Sequence, residues 1–354
     1  MKVLITGASG MLGAGVAKAL AARGDTVTVL QRRPSGLGLP EVLADVSDAI
    51  AVGAAVRDHE AVVHLAAKVN VTGPWPEYER VNITGTRTVV EACRTAGVQR
   101  LVHVSSPSVA HAGRALIGVG AEPADPMRAR GPYARSKAVA EQIALGGDAG
   151  DLAVLAIRPH LVWGPGDPML VARVVDRARR GRLPVIGSGA ALLDSTYVTN
   201  AVDALLVALD RCVEARGQAL VVTNGEPRPI TELIGSICAA AGVPPPTRQV
   251  PVPLAATVGT AVQTASAILD RLRPNRPVSD PPITRFIVEQ MSTAHWFDQR
   301  HTREVLQWRP RISLDEGFSE LRRWFRDGQP KGNALRRSVL ARSEPPRRAR
   351  VRGG

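Results

Sequence analysis

The chain lacks most of what marks a secreted, metal-binding or membrane-spanning protein. Its three cysteines (Cys93, Cys212, Cys238) lie far apart, and neither a disulfide framework nor a metal-ligand spacing emerges from them. That usage fits a reducing compartment. No apolar leader precedes a cleavage site, and Met1-Lys2-Val3-Leu4 runs almost at once into a strand, so a cytoplasmic protein is expected. No internal repeat is visible. Residues 252–269 lack any charge, yet Thr257, Thr260, Gln263, Thr264 and Ser266 leave the stretch only moderately apolar. It reads as a lid or interfacial helix over an apolar substrate channel, with a peripheral membrane contact as its surface role. A buried helix of a smaller lobe and a true span are the alternatives. Arg271 and Arg273 follow it, and Pro281 and Pro282 separate it from the next helix.

Carboxylates are the charge in short supply, with 32 Asp and Glu against 45 Lys and Arg, a formal net charge of +13. Residues 331–354 hold eight Lys or Arg against Glu344 alone. A nucleic-acid or anionic-membrane contact is one reading of such a tail. The reading preferred here is a basic, disordered, solvating tail over 329–354, with no nucleic-acid partner. The remaining composition, 45% hydrophobic and 22% charged, is that of a globular protein of one large or two moderate domains.

What is present is ordered alternation. Residues 2–6 form a short apolar run suited to a buried parallel strand, and a helical pattern follows from Ala14 to Arg23. Between them lie Gly7, Gly10 and Gly13, three apart. The first permits a tight turn, the second lets backbone approach a pyrophosphate at the helix N-terminus, and the third permits close helix-on-strand packing. A second strand, 26–30, ends in Gln31, Arg32 and Arg33. An acid there would bind the ribose hydroxyls of NAD; two guanidiniums and no carboxylate suit the 2′-phosphate of NADP, with NAD as the alternative. Asp45 and Val46, after a third strand at 41–43, can contact the adenine. Residues 61–67 read as a fourth strand running into a small-residue loop, where Ala66 and Ala67 are small enough to let backbone approach a cofactor. His64 reads as a structural strand-end histidine. Asn82 opens a helix to Ala96, and the strand 100–105 ends in Ser105-Ser106. A helix over 133–147 and a strand over 153–158 complete an alternation that predicts a doubly wound parallel α/β sheet.

Tyr133 and Lys137 stand four apart, so one helical turn puts both on one face. A nearby ammonium lowers a phenol's pKa, and such a pair can pass a proton to or from an alcohol or ketone.

Taken together, Thr6-Gly7-Ala8-Ser9-Gly10-Met11-Leu12-Gly13, His64-Leu65-Ala66-Ala67, Val81-Asn82-Ile83-Thr84-Gly85-Thr86, Ser105-Ser106 and Tyr133-Ala134-Arg135-Ser136-Lys137 resemble the extended short-chain dehydrogenase/reductase family over about residues 1–328. The resemblance implies a Rossmann core over 1–160 and a mixed α/β segment over 161–328 that returns to the core and forms a smaller C-terminal substrate lobe. It implies a Ser-Tyr-Lys catalytic set: Tyr133 as acid-base, Lys137 on the nicotinamide ribose, and Ser106 on the substrate oxygen with Ser105 as its rival. It also implies cofactor contacts from Gly7, Gly10, Met11, Leu12, Gly13, Arg32, Arg33, Asp45, Val46, Ala66, Ala67, Tyr133, Lys137 and Pro159, no metal, and a homodimer. Pro107 departs from many relatives.

The segment Ile157-Arg158-Pro159-His160-Leu161-Val162-Trp163-Gly164-Pro165-Gly166-Asp167 resembles the 3β-hydroxysteroid dehydrogenase branch and lacks the Asn usual in nucleotide-sugar epimerases. Thr293-Ala294-His295-Trp296-Phe297-Asp298 is similar to bacterial 2-alkyl-3-oxoalkanoate reductases. The expected activity is NADP-linked interconversion of a secondary alcohol and a ketone on a small hydrophobic substrate. A nucleotide-sugar epimerase or dehydratase with tightly held NAD, and a non-catalytic dinucleotide sensor, are the other readings.

Overall fold

The computed structural model describes residues 1–70, 72–272 and 284–328. The basic tail, Arg273, Pro281 and Pro282 lie outside the described residues.

Seven parallel strands form the central sheet in the order β12-β7-β5-β4-β1-β2-β3. They are β1 (Lys2–Thr6), β2 (Thr26–Gln31), β3 (Glu41–Leu43), β4 (Ala61–His64), β5 (Arg100–Val104), β7 (Ala153–Pro159) and β12 (Ala219–Val222). The chain runs outward from β1 to β3 and then returns to the other side of β1 as β4. Ligands of open α/β sheets bind at such a reversal, beyond the strands' carboxyl ends. The apolar runs are continuous because both faces are covered. Alternation along each strand divides the core: Val3, Ile5, Val63, Val102 and Leu155 face one layer, while Leu4, Val62, Leu101 and Val154 face the other. The first layer is closed by α1 (Met11–Arg23) and α7 (Val198–Asp210). The second is closed by α2 (Ala49–Val56), α4 (Gly85–Ala96) and α5 (Gly131–Leu145).

Three helix starts differ from the sequence reading, one of them α5, which begins at Gly131 and not at 133. The first helix begins at Met11, not Ala14, directly after Gly10. The helix expected from Asn82 begins at α3 (Trp75–Tyr78) and passes through a π-turn, Glu79–Thr84, into α4. Pro76 is tolerated there because the first turn of a helix has no intrahelical partner for its N–H groups. Gly85 lets this helix approach Val46 closely; a Cβ there would lie 2.6 Å from Val46 Cγ2.

Beyond Pro159 the chain builds a second core around Trp163 and Tyr197, closed by α6 (Val171–Arg179), α8 (Ile230–Ala240) and α12 (Leu314–Arg326). Trp163 stacks on Phe318 at 4.3 Å. Leu314, Phe318 and Leu321 are buried core residues, and Phe325 is half-buried. A four-stranded sheet, β13-β10-β15-β6, joins β6 (Leu116–Val119) to β10 (Leu192–Leu193), β13 (Arg228–Pro229) and β15 (His295–Phe297). Two strand pairs complete the lobe: β8 (Val162–Trp163) with β11 (Thr196–Tyr197), and β9 (Val185–Ile186) with β14 (Gln249–Val250). After β15, α11 (Arg300–Leu306) leads into α12.

The uncharged stretch is helical, as part of α9 (Val252–Leu272), and it packs on α10 (Arg285–Ser292) through Ala255 and Gly259. A Cβ at Gly259 would lie 2.9 Å from the Thr284 carbonyl carbon. Leu254, Thr257, Val258 and Thr260 are exposed, so this is not a buried helix. Among the described residues no helix is long and apolar enough to cross a membrane.

Candidate active site

The glycine loop is set by contacts within the chain. Gly7 has φ +81°, and a Cβ there would lie 2.7 Å from Ala66 N. A Cβ at Gly13 would lie 2.5 Å from Gly7 O. Neither position tolerates a side chain. At Gly10 a Cβ would meet only Gly7 O at 3.6 Å, an ordinary contact. The chain's own packing therefore does not require Gly10, and the space it leaves opens at the start of α1. Met11 and Leu12 are half-buried in that first turn, which carries no acidic residue. A turn of free N–H groups beside an open, side-chain-free position fits a dinucleotide pyrophosphate.

At the adenosine end, Arg32 and Arg33 are exposed and form no ion pair among the described residues. Gln31 is buried, and its Nε2 donates to Glu41 Oε1 at 2.5 Å. Glu41 also accepts from Ser35 N at 2.7 Å, a bond that holds its carboxyl below the usual range. The acid missing from the end of β2 thus arrives from β3. Sequence reading missed Glu41, because only the β2–β3 register, Val29 opposite Glu41, brings it there. Asp45 accepts from Ser47 N and Oγ and pairs with Arg80. Val46 is buried under Gly85.

Below the cofactor loop lies a closed hydrogen-bond chain. Ala66 N donates to Thr6 Oγ1 (3.1 Å), which lies 2.7 Å from His64 Nδ1. His64 Nε2 lies 3.1 Å from Thr86 Oγ1, which donates to Asn82 O at 2.6 Å. One tautomer satisfies every member: Thr6 donates to Nδ1, and Nε2–H donates to Thr86. Burial drives the His64 pKa down to about 3 and keeps the ring neutral. Ala67 is half-buried in the loop just beyond.

Tyr133 and Lys137 lie one turn apart near the start of α5. The Ser106 hydroxyl lies close enough to the Tyr133 phenol to favour its ionised form. It also lies 2.9 Å from Ser108 Oγ and caps the 3₁₀ turn Pro107–Ala110. Ser105 Oγ is buried and has no hydrogen-bond partner among the described residues. Of the two serines, Ser106 is the one brought to Tyr133.

Lys137 is buried; its Nζ donates to Val104 O at 2.7 Å and lies 3.4 Å from His103 Nε2. Burial lowers the Lys137 pKa to about 8, against the opposing charge of Glu141. The Tyr133 pKa is raised, because burial outweighs the influence of the nearby Ser106 hydroxyl. This differs from the sequence expectation that Lys137 pulls the phenol down: its ammonium is directed at the Val104 carbonyl instead.

Two further groups hold this arrangement, and sequence reading assigned neither. Glu141 and Arg158, both 1% exposed, form a bidentate pair with contacts of 2.8 and 2.5 Å. Arg158 Nη1 donates to Glu122 O at 2.7 Å. This fixes α5 against β7, whose end carries Pro159, half-buried. Asn82 accepts from Lys68 N (2.7 Å) and donates to Ser136 Oγ (2.9 Å), which donates to Tyr133 O (2.8 Å). The loop after β4 is thereby tied to the first turn of α5. Among the described residues no group of three or more His, Cys, Asp or Glu is placed to hold a metal ion.

Residues 3–222 match the NAD dependent epimerase/dehydratase family. A 2-alkyl-3-oxoalkanoate reductase of Stenotrophomonas maltophilia is 37% identical over 334 residues, 91% of this chain and 98% of that protein. A 3-beta-hydroxysteroid dehydrogenase of Mycolicibacterium neoaurum is 29% identical over 343 residues, 92% of each. The solved structure of MoeE5 in complex with UDP-glucose and NAD superposes with a TM-score of 0.71 at 28% identity, covering 92% of this chain and 99% of that one. With the strand order, the glycine cradle and these likenesses together, the chain belongs to the NAD dependent epimerase/dehydratase family and is an oxidoreductase that uses a nicotinamide dinucleotide.

Proposed function

We propose that this chain reduces the ketone of a lipid-like 3-oxo acid, with NADPH as its cofactor and Tyr133 as its proton donor. The observation that carries the reading is that one turn of α5 presents Tyr133 and the buried Lys137 together, with the Ser106 hydroxyl near the phenol. The bound nicotinamide supplies hydride. Ser106 holds the substrate oxygen beside the phenol. Tyr133, its pKa raised by burial, keeps its proton at neutral pH and gives it up as charge develops on that oxygen. Lys137 is cationic below about pH 8 and places positive charge under the same corner of the site. Asn82, through Ser136, and the Glu141–Arg158 pair position the helix that carries both residues.

The names of the relatives, an alkyl-oxoalkanoate reductase and a hydroxysteroid dehydrogenase, support an apolar substrate. The exposed uncharged face of α9 around Leu254 and Val258 suits a peripheral membrane contact, which flotation with anionic and neutral vesicles tests. A homodimer through helices flanking the sheet is proposed on resemblance, with light scattering as its check.

Arg32 and Arg33 support NADP. Glu41 is the specific observation that favours NAD, since a carboxylate near the ribose suits free hydroxyls. Replacing both arginines by alanine is expected to lower kcat/KM with NADPH roughly tenfold to a hundredfold and to spare NADH. A Glu41→Gln variant that loses NADH use alone would turn the assignment to NAD.

The test of the reaction is the loss of reduced-nicotinamide absorbance with NADPH or NADH, offered a 3-ketosteroid and a long-chain 2-alkyl-3-oxo acid. Consumption with the oxo acid is the expected result. Tyr133→Phe should lower kcat by about 10²–10⁴-fold while dinucleotide binding persists. No consumption of either cofactor, with NAD retained on the purified protein, would replace this reading by the epimerase one.

A further inference from the structure

Three histidines outside the catalytic set gather in the lobe. His111 and His295 are each 1% exposed, and their rings meet edge to face at 4.8 Å. His160 meets His295 at 6.4 Å and Phe297 at 5.1 Å. Four ring nitrogens here, His111 Nδ1 and Nε2, His160 Nε2 and His295 Nδ1, are buried and complete no hydrogen bond among the described residues. The Arg114 backbone lies beside His111 and His295, and the Gln290 backbone beside His295, close enough to favour protonation but without bonding geometry. Orphaned buried polar nitrogens cost stability, and a cluster of them in one place calls for a ligand.

Their position suits a substrate. His111 ends the 3₁₀ turn that Ser106 begins, and its carbonyl accepts from Arg130 N, the N-cap of the helix that bears Tyr133. His160 directly follows Pro159 at the carboxyl end of β7. His295, on β15, closes the cluster from the small sheet.

Burial keeps the cluster neutral, with its hydrogen-bonding capacity unspent. Burial and mutual repulsion hold His160 near a pKa of about 3 and His295 near about 4, and burial lowers His111. The charged groups facing them are few. Arg130 faces His111 from the N-cap of α5, and Glu289 faces it from α10, where Arg285 engages that carboxylate at 3.0 Å. Asp194, whose N–H donates to His295 O, is pushed up to about 6 by burial.

We propose that His111, His160 and His295 form the receptor for the carboxylate of the oxo acid, so that the enzyme selects a free acid over its ester or a neutral ketone. This rests on the oxo-acid reading above. Neutral imidazole N–H groups donate to the carboxylate, and the incoming negative charge draws a proton from solution onto the cluster.

The experiment is calorimetric titration of a long-chain 2-alkyl-3-hydroxy acid, and of its methyl ester, into the full chain loaded with NADP. It is run at about pH 7.5 and below in two buffers of different ionisation heat. The acid should bind with net proton uptake that grows as the pH is lowered, and the ester with none. Replacing His111 and His295 by asparagine should lower the acid-to-ester ratio of affinities roughly tenfold to a hundredfold and remove the uptake.

Acid binding without proton uptake, no acid binding, or equal losses for acid and ester in the variant would overturn the inference. The wild-type arm needs no variant to fold. Binding with uptake but no turnover would leave the receptor standing and sink the reductase. Turnover that prefers the ester would do the reverse.

Discussion

Two buried histidine sites in this molecule are built on opposite plans. Under the cofactor loop, His64 sits in a chain where Ala66, Thr6, Thr86 and Asn82 supply a partner for each polar atom in one consistent direction. In the lobe, His111, His160 and His295 share four nitrogens with none. Both sets are neutral because burial penalises charge. A satisfied network fixes geometry in advance, as a loop that must meet the same dinucleotide in every turnover requires. An unsatisfied one keeps its hydrogen-bonding capacity for something that arrives.

Acid should expose both plans at once. A histidine buried neutral has a folded pKa below its ordinary 6.5, so the unfolded chain binds more protons between those values. Its stabilising contribution is whole above about pH 6.5 and is lost as pH falls toward about 3 for His64 and His160 and about 4 for His295. Denaturant titrations across this range should show stability falling by about 1.4 kcal/mol per group per pH unit at most. A bound hydroxy acid should blunt the fall, because it shifts the open cluster alone.

A narrower break falls on the satisfied side. Glu141→Gln leaves the Arg158 charge buried without its partner, and a loss of about 3–5 kcal/mol in denaturant unfolding is expected. The same change removes the charge that supports the Lys137 ammonium, so the alkaline limb of the pH–rate profile should move down. An unmoved limb would mean that Lys137 does not set it.

The smallest expected effect sharpens the contrast most. Thr86→Val cuts the His64 chain and should cost about 1–3 kcal/mol, with weaker dinucleotide binding read by fluorescence titration. If dinucleotide affinity is untouched, the chain supports the core and not the loop.

Much of the site was legible because its signals are local. The Gly7-Gly10-Gly13 spacing and the Tyr133–Lys137 turn each lie within one strand–loop–helix or one helix, where backbone periodicity alone sets what meets. The Ser105–Ser106 ambiguity could not be resolved that way. It depends on how the 3₁₀ turn after Ser106 aims a hydroxyl at a helix more than twenty residues on. Glu41 was invisible because its role requires the β2–β3 register. The Glu141–Arg158 pair, read one residue at a time, is an acid on a helix and a base on a strand. The direction of the Tyr133 shift was misjudged for a related reason: proximity in sequence placed Lys137 beside the phenol, and packing aimed its ammonium at Val104 O.

The sequence by itself determined the alternation of strands and helices, the glycine turn between β1 and α1, and the placement of Tyr133 and Lys137 one helical turn apart, since these follow from steric rules and periodicities within a few residues. Only the tertiary structure decided which serine lies near Tyr133, which acid joins Gln31 at the end of β2, what holds Lys137, and that three histidines from residues 111, 160 and 295 converge. Those outcomes depend on burial and on contacts between segments far apart in the chain, and the free energy of a buried polar group is set by the partners that packing happens to supply.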